Sequence, residues 1–131
     1  MRAMLDANLC IRVLRDRPEG LRERFTAEAP TLAISTVVFH ELMFGAERSD
    51  RPQVHRARIA AFCSQISVLD FNRPAADEAA QIRAVLAAAG NLIGPIDLLI
   101  AGHARSLRLE LITSNLRECA RVEGLHCEDW F

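Results

Sequence analysis

Asn91-Leu-Ile-Gly94-Pro95-Ile-Asp97-Leu-Leu-Ile-Ala-Gly-His-Ala104 decides how the rest of the chain is read. Gly94 and Pro95 make a turn, and the run behind them is apolar at helical spacing, so a helix is expected from Ile96 or Asp97. Asp97, Ile100, Ala101 and Ala104 then stand at i, i+3, i+4 and i+7. An acid therefore heads a stripe that should face the core. A first-turn carboxylate also suits the positive end of the helix dipole, so cap chemistry alone would account for it.

On the N-terminal side of this stretch, Ser67 to Phe71 reads as a strand, Asn72 and Arg73 lead into Pro74, and Ala75 to Ala89 is an Ala-rich helix closed by Gly90. On the C-terminal side Leu109 to Thr113 is a strand, Ser114 and Asn115 cap a short helix from Leu116 to about Arg121, and Gly124 to Trp130 is a turn with a terminal strand. Further back, Pro52 to Ile66 is an amphipathic helix with Val54, Ala57, Ala61 and Phe62 as inward positions. Leu32 to Ser35 is a buried strand whose last residue caps a helix from Thr36 to about Arg48. In that helix Val38, Glu41, Leu42 and Gly45 share one stripe, so Glu41 is a second acid on an apolar face. At the start, Ala3-Met-Leu5 ends at Asp6, where a strand hands over to a helix through Leu14 with Asn8 as its N-cap candidate. Pro18 fits the first turn of a helix from Glu19 to about Ala29.

Strands separated by helices imply a parallel sheet with helices on both faces, an α/β fold forming one domain over residues 1–131. In such sheets functional groups collect beyond the carboxyl ends of the strands. Asp6, Glu41, Asp97 and Asn115 could meet at one such edge.

A chain of 131 residues buries roughly two thirds of the surface its unfolded form exposes. Its aromatics are six Phe and one Trp, so the core must be mostly Leu, Ile, Val and Ala. No apolar run approaches the roughly 20 residues that span a bilayer, and no long apolar stretch opens the chain, so a cytoplasmic protein is expected. The net charge of -1 gives no bulk attraction to nucleic acid, although all 16 basic residues are Arg, the better phosphate fork. Cys10, Cys63, Cys119 and Cys127 form no C-x-x-C pair, so buried free thiols are expected rather than a zinc site, even with His126 beside Cys127.

Clustered carboxylates repel, so their natural companion is a hard divalent ion with oxygen ligands and retained waters. Mg²⁺ or Mn²⁺ there would activate water for in-line attack on a phosphodiester. A metal-dependent phosphatase with Asp6 as nucleophile would want a Lys on a late strand, and the chain has none. A binding module that sequesters a partner or RNA without cleavage has little reason to tolerate three acids at one edge. His103 reads as a packing residue, and Thr113 and Ser114 either close a turn or offer hydroxyls to the metal shell or substrate. Arg117 could hold phosphates near the cleft, while Arg121 reads as solvated. Phe39, Met43, Phe44 and Phe62 are core by default, with part of the set available to line a groove for a partner helix.

Met4-Leu-Asp6-Ala-Asn8, Ser35-Thr-Val-Val-Phe-His-Glu41-Leu-Met-Phe-Gly45, Gly94-Pro-Ile-Asp97-Leu-Leu-Ile-Ala-Gly-His-Ala104 and Thr113-Ser-Asn115-Leu-Arg-Glu118 resemble, in order and spacing, the PIN-domain ribonuclease toxins of the VapC type. The closing Arg121-Val-Glu-Gly-Leu-His-Cys-Glu-Asp-Trp130 is similar to that group's C-terminus, so the likeness covers essentially the whole chain. The resemblance implies a PIN fold, Mg²⁺-dependent endonucleolytic cleavage of tRNA or rRNA, and inhibition by a cognate antitoxin in the active-site groove. It also implies a homodimer within a larger toxin–antitoxin complex. Carried over by position, Asp6 and Asp97 look like metal ligands, Glu41 like the third acid and Asn115 like the polar residue of the fourth slot. Asn8, Thr113, Ser114, Arg117 and Glu118 are the expected substrate or supporting residues. The family usually has Thr where this chain has Ala7, and often Asp where it has Asn115, which raises the question whether Glu118 compensates. Neither departure removes a core acid, so activity is expected.

Overall fold

Two short runs of buried residues, Ala3–Leu5 (β1) and Leu32–Ser35 (β2), pair in parallel inside the computed structural model, which describes residues 1–130. β3 (Ser67–Leu69) extends the sheet beyond β2, while β4 (Glu110–Ile112) and then β5 (Cys127–Glu128) extend it beyond β1. The order is β3-β2-β1-β4-β5 and every pairing is parallel. Central strands buried on both faces read as continuous apolar runs, which is why β1 and β2 show no alternation.

The crossovers supply the helices: α1 (Ala7–Arg15) and α2 (Leu21–Glu28) join β1 to β2, and α3 (Thr36–Glu47) and α4 (Pro52–Cys63) join β2 to β3. The chain then returns through α5 (Arg73–Ala88) and α6 (Pro95–Ser106) to β4, and α7 (Leu116–Cys119) precedes β5. Right-handed crossovers running one way and then back put α1 to α4 on one face and α5 to α7 on the other. The reversal falls between β1 and β4. The crevice beyond the carboxyl ends of those two strands is thus the sheet's topological switch point.

Several boundaries differ from the sequence reading. Asp6, not Asn8, caps α1: its Oδ1 accepts the Leu9 N–H at 2.8 Å, and Asn8 is exposed in the first turn. α2 starts at Leu21 because Gly20, at φ 92, serves as its cap and leaves Pro18 outside. β3 stops at Leu69, since the Phe71 N–H donates to Thr36 Oγ1 rather than to a strand. α4 ends at Cys63 and buries only Ile59 and Phe62, with Phe62 stacked on Phe25 at 4.6 Å. Val54, Ala57 and Ala61, expected inward, are exposed because only the C-terminal half of α4 meets the core. Ser35, Asn72 and Asn115 all act as N-caps, and Gly90 ends α5 at φ 64.

The cysteines also depart from the expectation of four free thiols. Cys119 and Cys127 form a disulfide joining α7 to β5, with Cα atoms 6.4 Å apart, inside the range such a bond spans. Cys10 and Cys63 stay free, and burial pushes both thiols up. No helix among the described residues is long and apolar enough to cross a membrane.

Candidate active site

β1 and β4 run in register, with Leu5 opposite Ile112, so the residues that follow, Asp6 and Thr113, come side by side at the switch point. Thr113 Oγ1 donates to Asp6 Oδ2 at 2.5 Å, a short bond of the kind made to an ionised oxygen. Both carboxylate oxygens of Asp6 therefore have donors, one from the helix cap and one from Thr113. Only 5 % of Asp6 is exposed, and burial raises its pKa against the lowering pull of Thr113, the Leu9 N–H and Arg12. Asp6 thus caps α1 through Oδ1 and turns Oδ2 toward Thr113 at the switch point.

Replacing Thr113 by Val keeps the shape and removes the hydroxyl. The buried Asp6 oxygen loses its donor, and the Asn115 N–H, which donates to Thr113 Oγ1 at 2.9 Å, loses its acceptor. We expect a loss of about 2 kcal/mol in urea unfolding, restored by Thr113→Ser; an unchanged midpoint would show that the contact is idle.

Asp97 enters from α6. Gly94 is the N-cap residue, Pro95 follows it, and the Asp97 side chain folds back over that turn. A Cβ on Gly94 would lie 3.1 Å from Asp97 Oδ2, so the carboxylate occupies space that only glycine leaves open. Gly94 has φ -56 and ψ 146, which alanine adopts freely. Gly94→Ala should therefore displace the carboxylate by a few tenths of an ångström at little cost to the fold. We expect divalent-cation binding at this site to weaken by roughly tenfold with the melting temperature unchanged, read from a Mn²⁺ titration and a thermal scan on one preparation.

The third acid in this space is Glu118. Asn115 Oδ1 accepts the Glu118 N–H at 3.4 Å and starts α7, which turns the Glu118 side chain toward Asp97. Asp97 lies open to solvent on one side, yet its pKa is raised to about 6, first by partial burial, then by a carboxyl contact with Glu118 and by the charges of Glu118 and Asp6. Glu118 Oε2 is buried without a hydrogen-bond partner. Two facing carboxyls with an orphaned buried oxygen call for a shared proton or a cation.

Asp6, Asp97, Thr113, Asn115, Glu118 and Cys119 line one cavity of about 20 Å³ over a floor that includes Ile93, Ile100 and Leu111. That is room for about one water or one ion. Among the described residues no three His, Cys, Asp or Glu converge closely enough to cage a metal by themselves. An ion that takes one or two carboxylates and keeps its waters needs no such cage, so this donor set fits Mg²⁺ or Mn²⁺ better than zinc.

Glu41 is not brought into that cavity. It lines a separate groove with Ile11, Leu14, Arg15 and His55, between α1, α3 and α4. Asn8, Asn115 and Arg117 are exposed, and Ser114 is half-buried. Arg121, read as solvated, instead donates to the Leu92 carbonyl at 3.0 Å and ties the Gly94 turn to the end of α7. His103 is 1 % exposed and meets the Phe71 ring edge-on at 5.5 Å, a packing role as expected. Sequence reasoning missed two things about this cavity: Cys119 in its wall and Gly94 as a clearance for Asp97. The spacing Asn115, Glu118, Cys119, one turn of helix, was the signal available for the first.

Residues 3–125 match the PIN domain family. Over 130 residues the chain is 46% identical to the tRNA(fMet)-specific endonuclease VapC of Shigella flexneri, covering 99% of this chain and 98% of that one. It is 43% identical to the protein of the same name from Salmonella typhimurium, with the same coverage. Among solved structures, DNA-bound VapBC from Salmonella typhimurium superposes with a TM-score of 0.94 at 43% identity, covering 100% of this chain and 99% of that one. VapBC-1 from nontypeable Haemophilus influenzae gives 0.88 at 32% identity, with 99% and 98% covered.

Proposed function

The chain belongs to the PIN-domain family, and from that premise we propose that it is the toxin of a type II toxin–antitoxin pair, an endoribonuclease that hydrolyses phosphodiester bonds in tRNA. The observation that carries the reading is the convergence of Asp6, Asp97 and Glu118 on one small cavity at the switch point, with one buried carboxylate oxygen left unpartnered. Relatives named as VapC endonucleases, aligned over nearly their full length, support the RNA substrate and the cytoplasmic setting. Solved VapBC complexes of close fold support a cognate antitoxin and a larger toxin–antitoxin complex, within which we place this chain as a homodimer. Residues 1–131 act as one unit in this reading.

Asp6 and Asp97 would hold a divalent cation, Mg²⁺ in the cell and Mn²⁺ as a probe, with Glu118 adding a carboxylate to the same cavity. When bound, the ion supplies Lewis acidity at the scissile phosphate and lowers the pKa of the attacking water. Thr113 fixes the Asp6 carboxylate, and Gly94 gives Asp97 its clearance. Thr113 supplies a hydroxyl to the Asp6 carboxylate even though Ala7 offers none. The neutral amide of Asn115 caps α7, and Glu118 brings the charge that an Asp in that slot would have carried. Arg117, exposed next to Glu118, is available to an RNA phosphate. Glu41, the third acid by resemblance, lines a separate groove between α1, α3 and α4 and not this cavity, so Glu41→Gln should slow cleavage less than Asp97→Asn does.

Purified antitoxin-free protein should cut end-labelled tRNA, the initiator tRNA first, into discrete fragments with Mg²⁺ and not with EDTA. Absence of cleavage by folded protein that binds Mn²⁺ would move the reading to a binding module that sequesters RNA or a partner.

A further inference from the structure

α7 has four residues, far too few to be stable alone, so the position of Glu118 depends on what anchors Cys119. β5 is anchored independently: Leu111 and Thr113 donate to the His126 and Glu128 carbonyls at 2.9 Å, and the Glu128 carboxylate pairs with Arg2 and Arg24. The covalent link from the short helix to this fixed strand is Cys119–Cys127, and Cys119 itself forms part of the cavity wall.

We propose that this disulfide is a redox-controlled strut: when closed it holds Glu118 against Asp97, and when reduced it frees α7 and loosens the divalent-cation site. Cys127 is half-buried on the edge strand and Cys119 is buried, so Cys127 Sγ is the point of attack. A thiolate of a dithiol reductant attacks Cys127 Sγ, the S–S bond breaks, and the Cys119 sulfur leaves as a thiolate that takes up a proton. The second thiol of the reductant then displaces Cys127, so the reductant ends as a disulfide and the protein gains two thiols. A small-molecule disulfide such as oxidised glutathione reverses both steps and leaves as two thiols. Cys10 and Cys63 take no part.

The inference rests on the nuclease reading only for its biological consequence, and its test uses no RNA. Full-length protein is treated with oxidised glutathione or with dithiothreitol, then followed by alkylation and mass measurement, by hydrogen exchange, and by Mn²⁺ titration. Alkylated in denaturant, the oxidised form should react at Cys10 and Cys63 alone, the reduced form at all four positions. Reduction should speed exchange of the Cys119 and Ala120 amides, which bond to the Asn115 and Leu116 carbonyls, by about tenfold, and weaken Mn²⁺ binding by about tenfold. Cys127→Ser should match the reduced protein and ignore dithiothreitol, while Cys63→Ser keeps the full response. Four alkylated cysteines after glutathione treatment, or exchange or Mn²⁺ affinity that does not differ between the two forms, would overturn the proposal. Loss of tRNA cleavage in both forms would count against the nuclease reading alone.

Discussion

Asp97→Asn abolishes Mg²⁺-dependent RNA cleavage to within background, a fall of roughly a thousandfold, and leaves the protein folded with a melting temperature at neutral pH no lower than that of the wild type. The two halves follow from one cause. Partial burial, the Glu118 contact and the Asp6 charge disfavour ionised Asp97 in the folded state and raise its pKa from 3.8 to about 6. The amide keeps the size and removes the unfavourable charge, so without metal the fold loses nothing. It gives up a first-turn acid at the helix N-terminus, worth about 0.5 kcal/mol at an exposed site, and the raised pKa says that burial, with the Glu118 contact and the neighbouring charges, is the larger effect. In the proposed metal site it would remove a charged ligand and with it much of the cation's hold. Retained cleavage in Asp97→Asn would remove Asp97 from the metal site; lost cleavage with a collapsed melting temperature would make it structural.

The same shift sets a pH dependence with a definite sign. Between pH 3.8 and about 6 the folded protein holds a proton on Asp97 that the unfolded chain has released. Metal-free stability from this group is therefore greatest at the acid end and declines as pH rises through that window. Asp6, also raised, contributes in the same direction. A divalent ion binds the deprotonated form, so it should reverse the slope, and cleavage should climb as pH passes about 6. Thermal scans in EDTA across this range should show the decline, and Asp97→Asn should flatten part of it. A metal-free protein that gains stability from pH 4 to 6 through Asp97 would contradict the geometry.

The acids at strand ends and helix starts were legible in the sequence because local rules place them. Asp6 follows an apolar run and Asp97 follows a Gly-Pro turn, so both positions along the chain were fixed before any packing was known. Glu41 shows where that reasoning stops. It lies on an apolar stripe, but five residues into α3 it stands roughly 8 Å up the helix axis, and one helix's periodicity cannot say which groove that height opens into. Glu118 is the converse case, left open by sequence because its direction depends on how a four-residue helix docks. The disulfide was invisible for the same reason: it crosses from a helix to an edge strand, a relation with no periodic trace. The inward face of α4 was misjudged because Val54, Ala57 and Ala61 share a helical stripe whose burial depends on how much of α4 the α1 and α3 layer covers.

Gly102→Ala should destabilise the protein by about 2 kcal/mol net, although alanine is the better helix former by about 1 kcal/mol. Gly102 sits inside α6 where that helix crosses α5, and a Cβ there would lie 2.6 Å from the N, Cα and Cβ of Ala79. Two of those three atoms are backbone, so no rotamer change relieves the overlap; the helices must separate. Separation opens the contacts of Ala75, Ala79, Ile82 and Leu86 with α6, which is why the clash, about 3 kcal/mol by analogy with overpacked cores, outweighs the gain in propensity. A fall of roughly 8 °C in melting temperature is expected. Gly45 in α3 is the control, because a Cβ there meets nothing within 4 Å. In the isolated chain Gly45→Ala should show only the propensity, a gain of about 0.5 to 1 kcal/mol. The same substitution in two helices thus carries opposite signs, and equal signs in the two variants would mean that the α5–α6 crossing is looser than the Gly102–Ala79 approach requires.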